Sequence, residues 1–157
     1  MKQYSTLKKM SEKNYDPQMH TAEHILNQTM VKMFGCSRSK NSHIERKKSK
    51  CDYQIPFEPT IEQIQEIEKS VNNVIALNLP VTDEEVAKDA ASEFLDLSKL
   101  PSDAPELIRV VRVGHFDACA CIGPHVENTS QVGEFCITSH SYSDGTLRLR
   151  FKLNRPS

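Results

Sequence analysis

No apolar run in this 157-residue chain approaches the ~18 residues that a membrane-crossing helix needs, which excludes a helical span. The opening segment, MKQYSTLKKMSEKNYD, lacks the apolar stretch of a secretory leader, so the expected location is cytoplasmic. Without a leader, Cys36, Cys51, Cys119, Cys121 and Cys136 read as reduced thiols or metal ligands and not as a disulfide framework. Internal repeats, low-complexity tracts and linkers rich in Pro, Gly and Ser are all missing, and the length fits one domain. With 38% hydrophobic and 26% charged residues, that domain has a folded core.

Net charge is nearly absent too, at −1, but it is segregated along the chain. Between Arg38 and Lys50 six bases face one acid, Glu45. From Gly145 onward Arg148, Arg150, Lys152 and Arg155 meet no acid at all. Between Glu58 and Glu106 twelve acids face three lysines. Two basic patches on an acidic body suit a phosphate-rich partner such as RNA, with Arg46, Lys47, Lys48 and Lys50 as the contact residues. A solvated loop and a solvated strand face account for the same pattern.

Local signals give the elements. Asp16-Pro17 starts a helix, as N-cap and first-turn proline, and Gly35 ends it. Thr60 and Gln63 form a capping box for a second helix to about Asn78, with Ile61, Ile64, Ile67, Val71, Val74 and Ile75 on its apolar stripe. Pro80 ends that helix. Thr82 with Glu85 predicts a third, shorter helix through Val86, Ala87, Ala90, Ala91 and Phe94. Strands are expected at 107–113, 134–140 and 146–153, with strand pieces at Ile44 and 51–55. In the last strand Leu147, Leu149, Phe151 and Leu153 alternate with Arg148, Arg150 and Lys152, which buries one face. Helices and antiparallel hairpins segregate along the chain, the pattern of an α+β domain with helices packed on an antiparallel sheet in two layers.

Two short patterns carry chemistry. His20 and His24 lie one turn apart on the first helix, roughly opposite the arc of Met19, Ala22, Ile25, Leu26, Thr29, Met30 and Met33. Cys121-Ile122-Gly123-Pro124-His125 presents a thiol and an imidazole across a bend. Together the four side chains are an apt donor set for zinc. Each half by itself reads equally as an ordinary pair of packed residues.

HTAEH, followed about a hundred residues later by RVVRVGHFDACACIGPHVENTSQVGEF, resembles the editing domain of alanyl-tRNA synthetases and its free-standing AlaX relatives. That family carries H-x-x-x-H, C-G-G-T-H-V and N-T-x-E-I-G, which stand here as HTAEH, CIGPHV and ENTSQVG. SHIERKKSKCDYQIP and GTLRLRF are similar to the family's intervening and closing strands, so the resemblance runs from Asp16 to Leu153. It implies a trans-acting aminoacyl-tRNA deacylase for which mischarged tRNA, most of all serine or glycine on alanine tRNA, is the partner. It also implies Zn²⁺ held by His20, His24, Cys121 and His125. Thr21, beside His20, is the candidate catalytic hydroxyl, and Cys119, Ile122, Gly123 and Pro124 are candidate pocket residues. Residues 1–15 are expected as an N-terminal extension and 16–157 as one editing-like domain, without the glycine-rich barrel that precedes it in longer AlaX proteins. The loop departs from the family at Ile122 and Pro124. Its GPHV wording is closer to the N-terminal editing domain of threonyl-tRNA synthetases, which removes serine without zinc. Zinc-independent editing of serine on threonine tRNA, and a tRNA-binding module with a decayed site, are therefore the alternatives.

Overall fold

A computed structural model describes residues 16–93, 95 and 106–155. The expected N-terminal extension and Phe94 lie outside the described residues. In chain order the elements are α1 (Pro17–Phe34), β1 (Asn41–His43), β2 (Ser49–Gln54), α2 (Ile61–Ala76), β3 (Val81–Ala87), α3 (Lys88–Ala91), β4 (Leu107–Val113), β5 (Asp117–Ala120), β6 (Glu134–Ser143) and β7 (Thr146–Asn154). A short 3-10 turn at Thr129–Gln131 precedes β6. The strands form two antiparallel sheets, ordered β1-β2-β7-β6 and β3-β4-β5. The fold is α+β and not a barrel. No helix among the described residues is long and apolar enough to cross a membrane.

Both long helices begin as their caps dictate. The Asp16 carboxylate accepts the Met19 N–H, Pro17 opens α1, and Gly35 closes it at φ 66°. Thr60 and Gln63 form both halves of the capping box of α2. Ile64, Ile67, Val71, Val74 and Ile75 of α2 are buried. Ile61, expected on that stripe, is 66% exposed because it stands in the first turn, off the end of the contact. Against these helices the four-stranded sheet turns Cys51, Tyr53, Phe135, Leu147, Leu149, Phe151 and Leu153, which completes the main core. The alternation in β7 is as expected. Its outer face is partly neutralised, since Arg148 grips Asp52 with bonds of 2.8 and 2.9 Å. Asp144-Gly145 joins β6 to β7 with both residues at positive φ, as a tight hairpin requires.

The expected helix from Thr82 is wrong over most of its length. Val81–Ala87 is a strand in seven-residue register with β4, and only Lys88–Ala91 is helical. The Thr82/Glu85 pattern is outweighed by an apolar β4 that would otherwise carry an open ladder edge, and by charge pairing across it. Arg109 donates to Asp83 at 2.8 Å and Arg112 to Glu84 at 3.0 Å. The small sheet has its own core of Ala91, Ile108 and Val110, against which Ala118 and Ala120 pack.

Asp16 does more than cap. Its carboxylate also pairs with Arg46 (3.0 Å) and Arg155 (2.7 Å). Burial tends to raise its pKa, but the Arg155 and Met19 hydrogen bonds hold it below the ordinary carboxylate value. A depressed folded pKa stabilises the fold above the unfolded value, and that contribution disappears as pH falls through the folded one. Asp16→Ala should therefore cost about 1–2 kcal/mol at neutral pH, with the gap to wild type closing below pH ~4. Urea denaturation at pH 7 and pH 3 measures both.

Candidate metal centre

Helix α1 is buried on two sides. Met19, Ala22, Ile25, Leu26 and Met30 enter the core, while His20, Glu23, His24 and Asn27 are buried on the other side, facing a cleft. The cleft has a volume of about 640 Å³ and runs between α1, the segment 36–42 and the β5 strand. The segment 121–128 closes over the N-terminal half of α1, and it is fastened from several directions. Arg109 donates to the carbonyls of Cys121 (3.0 Å) and Gly123 (2.8 Å). The Val126 N–H donates to Thr21 Oγ1 at 3.2 Å. Beyond it, Asn128 and Gln131 cap the 3-10 turn, and Thr129 Oγ1 donates to the Ile75 carbonyl, which anchors the segment to the end of α2.

This brings His20, His24, Cys121 and His125 together, with one donor atom of each within 4.8 Å of the others. Cys121 Sγ is 3.2 Å from His20 Nε2, and His24 Nε2 is 2.9 Å from His125 Nε2. Zn–N bonds of ~2.0–2.1 Å and Zn–S bonds of ~2.3 Å would set tetrahedral donors roughly 3.3–3.6 Å apart, close to these separations. The far sides of two rings are also occupied as metal-bound imidazoles require. His20 Nδ1 donates to the Pro124 carbonyl at 3.1 Å. His24 Nδ1 faces Cys119 Sγ at 2.9 Å and Asp117 Oδ2 at 3.6 Å. The donor set therefore fits a zinc ion. His125 Nδ1 is the one buried side-chain nitrogen without a hydrogen-bond partner among the described residues.

The electrostatics suit a thiolate. Burial pushes the Cys121 thiol up, but hydrogen bonds from His125, His20 and His24 outweigh it and hold the thiol well below its usual range. Burial, together with the neighbouring His24 and His20, lowers His125 to about 4, so this imidazole is neutral and has a lone pair to give. His24 runs the other way: despite burial, Cys119 and then Asp117 raise it well above its ordinary value.

The other expected residues are placed unevenly. Thr21 is fully buried, its hydroxyl donating to the Pro17 carbonyl at 2.8 Å while accepting Val126 N–H. Cys119 lines the cleft, whereas Ile122, Gly123 and Pro124 are not among its lining residues. Gly123 instead lies flat against His20, where an added Cβ would overlap the ring. Arg46 pairs with Asp16, Lys47 and Lys48 are exposed in the turn before β2, and Lys50 sits half-buried in β2 opposite Arg150.

Three further residues belong to the site beyond those named from the sequence. Asp117 is a buried strand residue bound twice by Arg38 (2.7 and 3.2 Å). Arg38 in turn belongs to the cleft and not to a solvated basic loop. Glu23 lines the cleft with a carboxylate oxygen 3.6 Å from His20 Nε2. Its one sequence signal is position: it is the acid inside HTAEH.

Comparison with known proteins places the sequence among tRNA synthetase relatives. Residues 108–150 match the family model "Threonyl and Alanyl tRNA synthetase second additional domain". An alanine–tRNA ligase of Treponema denticola is 32% identical over 133 residues, covering 83% of this chain and 22% of the ligase. Those of Caldicellulosiruptor saccharolyticus (34% over 124 residues) and Idiomarina loihiensis (35% over 122) cover 78% and 76% of this chain, each over 14% of the ligase. The chain thus spans less than a quarter of the length of these curated relatives. It is an AlaX-like relative of the editing domains of alanyl- and threonyl-tRNA synthetases.

Proposed function

We propose that this chain hydrolyses the ester joining a wrong amino acid to the 3′ end of a tRNA, acting on charged tRNA presented in solution. Serine or glycine on alanine tRNA is the proposed substrate, and residues 16–157 the single editing-like unit that acts on it. One observation carries the reading: two pairs of donors a hundred residues apart converge beside an open cleft, in a relative of alanine–tRNA ligases. The volume of about 640 Å³ is within the ~300–1,000 Å³ of small-molecule sites, room for the charged end of a tRNA.

His20, His24, Cys121 and His125 would hold the zinc. When bound, it supplies a polarising charge for the ester carbonyl and lowers the pKa of a bound water to ~7. The chain's own groups do the rest. Glu23, at the cleft wall beside His20, is the carboxylate positioned to accept a proton from water. Thr21 contributes through position, tying α1 to the segment that carries His125. Polar cleft walls left unpaired by alanine would favour serine over the correct amino acid. The purified chain, given serine-, glycine- and alanine-charged alanine tRNA with and without a chelator, tests the reading. Chelator-sensitive loss of serine or glycine alone supports it.

A second reading has its own support. Four donors engaged at once close a tetrahedral site, which suits a structural ion, and the GPHV segment is of the threonyl type. Chelator-resistant hydrolysis of serine-charged threonine tRNA would favour it, and tRNA binding without hydrolysis would favour a decayed site.

For tRNA contact, the exposed turn at 46–48 is the proposed phosphate-binding element, with Lys50 beside it. Because Arg46 also holds Asp16, Lys47 and Lys48 are the cleaner pair to reverse. Lys47→Glu with Lys48→Glu should weaken tRNA binding and lower its salt slope by about 1 for each phosphate that is no longer neutralised. Thermal stability should stay within about 0.5 kcal/mol. Binding measured at several salt concentrations checks this; an unchanged slope would make the turn a solvated surface.

A further inference from the structure

Where a ring nitrogen carries its proton decides which nitrogen can bind a metal. In His24 the choice is between Nε2, 2.9 Å from His125 Nε2, and Nδ1, which looks toward β5. Two acceptors stand on the Nδ1 side: Cys119 Sγ at 2.9 Å and Asp117 Oδ2 at 3.6 Å. Asp117 is nearly inaccessible, and an isolated carboxylate there would be costly to bury. Arg38 removes that cost. It crosses from the segment after α1 to β5 and binds both carboxylate oxygens, at 2.7 and 3.2 Å, with a planar fork that also fixes their orientation.

We propose that Asp117, clamped by Arg38, is a positioning residue for His24: together with Cys119 it keeps the ring proton on Nδ1, facing these acceptors, and so leaves Nε2 as the metal-facing lone pair. The inference rests on the metal reading above and adds to it a part that no four-residue ligand motif contains. His20 has the equivalent arrangement, with the Pro124 carbonyl in the role of Asp117. The two rings thus enter the cluster with the same nitrogen forward, one oriented by the loop backbone and the other by a buried ion pair. Partners of this kind are worth about 10–100-fold in metal affinity.

The test uses metal-stripped protein titrated with Co²⁺ against a chromophoric chelator, together with nitrogen-15 spectra of the zinc-loaded protein. Wild type should bind one ion per chain, with His24 protonated at Nδ1 and metal-bound at Nε2. Asp117→Asn and Arg38→Gln should each bind about 10–100-fold more weakly at the same stoichiometry. Arg38→Lys should recover part of the loss, since it keeps the charge without the fork. Arg148→Gln, which breaks an ion pair of the same kind on the outer face of β7, should leave affinity unchanged. Wild-type affinity in the Asp117 and Arg38 variants, or metal on His24 Nδ1, overturns the inference alone. Two Co²⁺ per wild-type chain would also overturn it, because Asp117, Cys119 and His24 Nδ1 would then be ligands of a second ion. A wild-type chain that binds no Co²⁺ overturns the metal reading and the inference with it.

Discussion

On the proposed function, Cys121→Ala is expected to abolish zinc binding and most of the proposed deacylation while leaving the fold intact. The thiolate is the one anionic donor among the four, and its backbone and side-chain partners hold it ready: Gly123 N–H at 3.5 Å and His20 Nε2 at 3.2 Å. Without it three neutral imidazoles leave the ion's charge unbalanced by the protein and one tetrahedral position to water, in a pocket built for four donors, so the affinity falls. Cys121 belongs to neither hydrophobic cluster, so its loss removes little packing. Elemental analysis should fall from about one zinc per chain to a small fraction, with circular dichroism unchanged. A bound ion is worth several kcal/mol of transition-state stabilisation, so turnover on serine-charged alanine tRNA should drop roughly 10²–10⁴-fold. Zinc lost with turnover retained would move the protein to the zinc-independent, threonyl-type reading.

The second large effect is expected at a residue that bears no reactive group. Gly123→Ala places a methyl group where the His20 ring lies, overlapping its Cε1 and Nδ1 atoms. The ring has nowhere to go. It is stacked on His125 with centroids 4.4 Å apart and is tied to the Pro124 carbonyl. The segment between Cys121 and His125 must therefore lift, against the Arg109 bonds that hold its carbonyls. Forced overpacking of this kind costs about 1–3 kcal/mol, or some 2–12 °C in melting temperature for a domain of this size. Zinc affinity should fall more than tenfold, because Cys121 and His125 move away from α1 together. A double-mutant cycle with His20→Ala isolates the cause: removing the ring should restore the stability lost by Gly123→Ala without restoring the metal. Independent, additive losses would show that the glycine is needed for some other reason.

Both predictions concern a loop whose chemistry is legible in one dimension and whose geometry is not. The caps of α1 and α2, the apolar stripes, the alternation in β7 and the Asp144-Gly145 turn all act over a few residues, and each is found where its pattern lies. The His20/His24 and Cys121/His125 pairs are likewise visible as residue types at a spacing. What the sequence alone determined, then, was the features whose local cause met no stronger partner, together with the residue types that the site brings together. Tertiary structure decided the rest. It made Val81–Ala87 a strand, because a partner about 26 residues away outweighed a local capping pattern. It joined Arg38 to Asp117 across 79 residues and set Glu23 and Cys119 at one cleft wall. It also turned Gly123 from a flexible loop residue into a spacer for a ring 103 positions earlier. Burial, ion pairing and close approach are properties of surfaces that meet only after the chain has folded, so nothing in the local order of residues could report them.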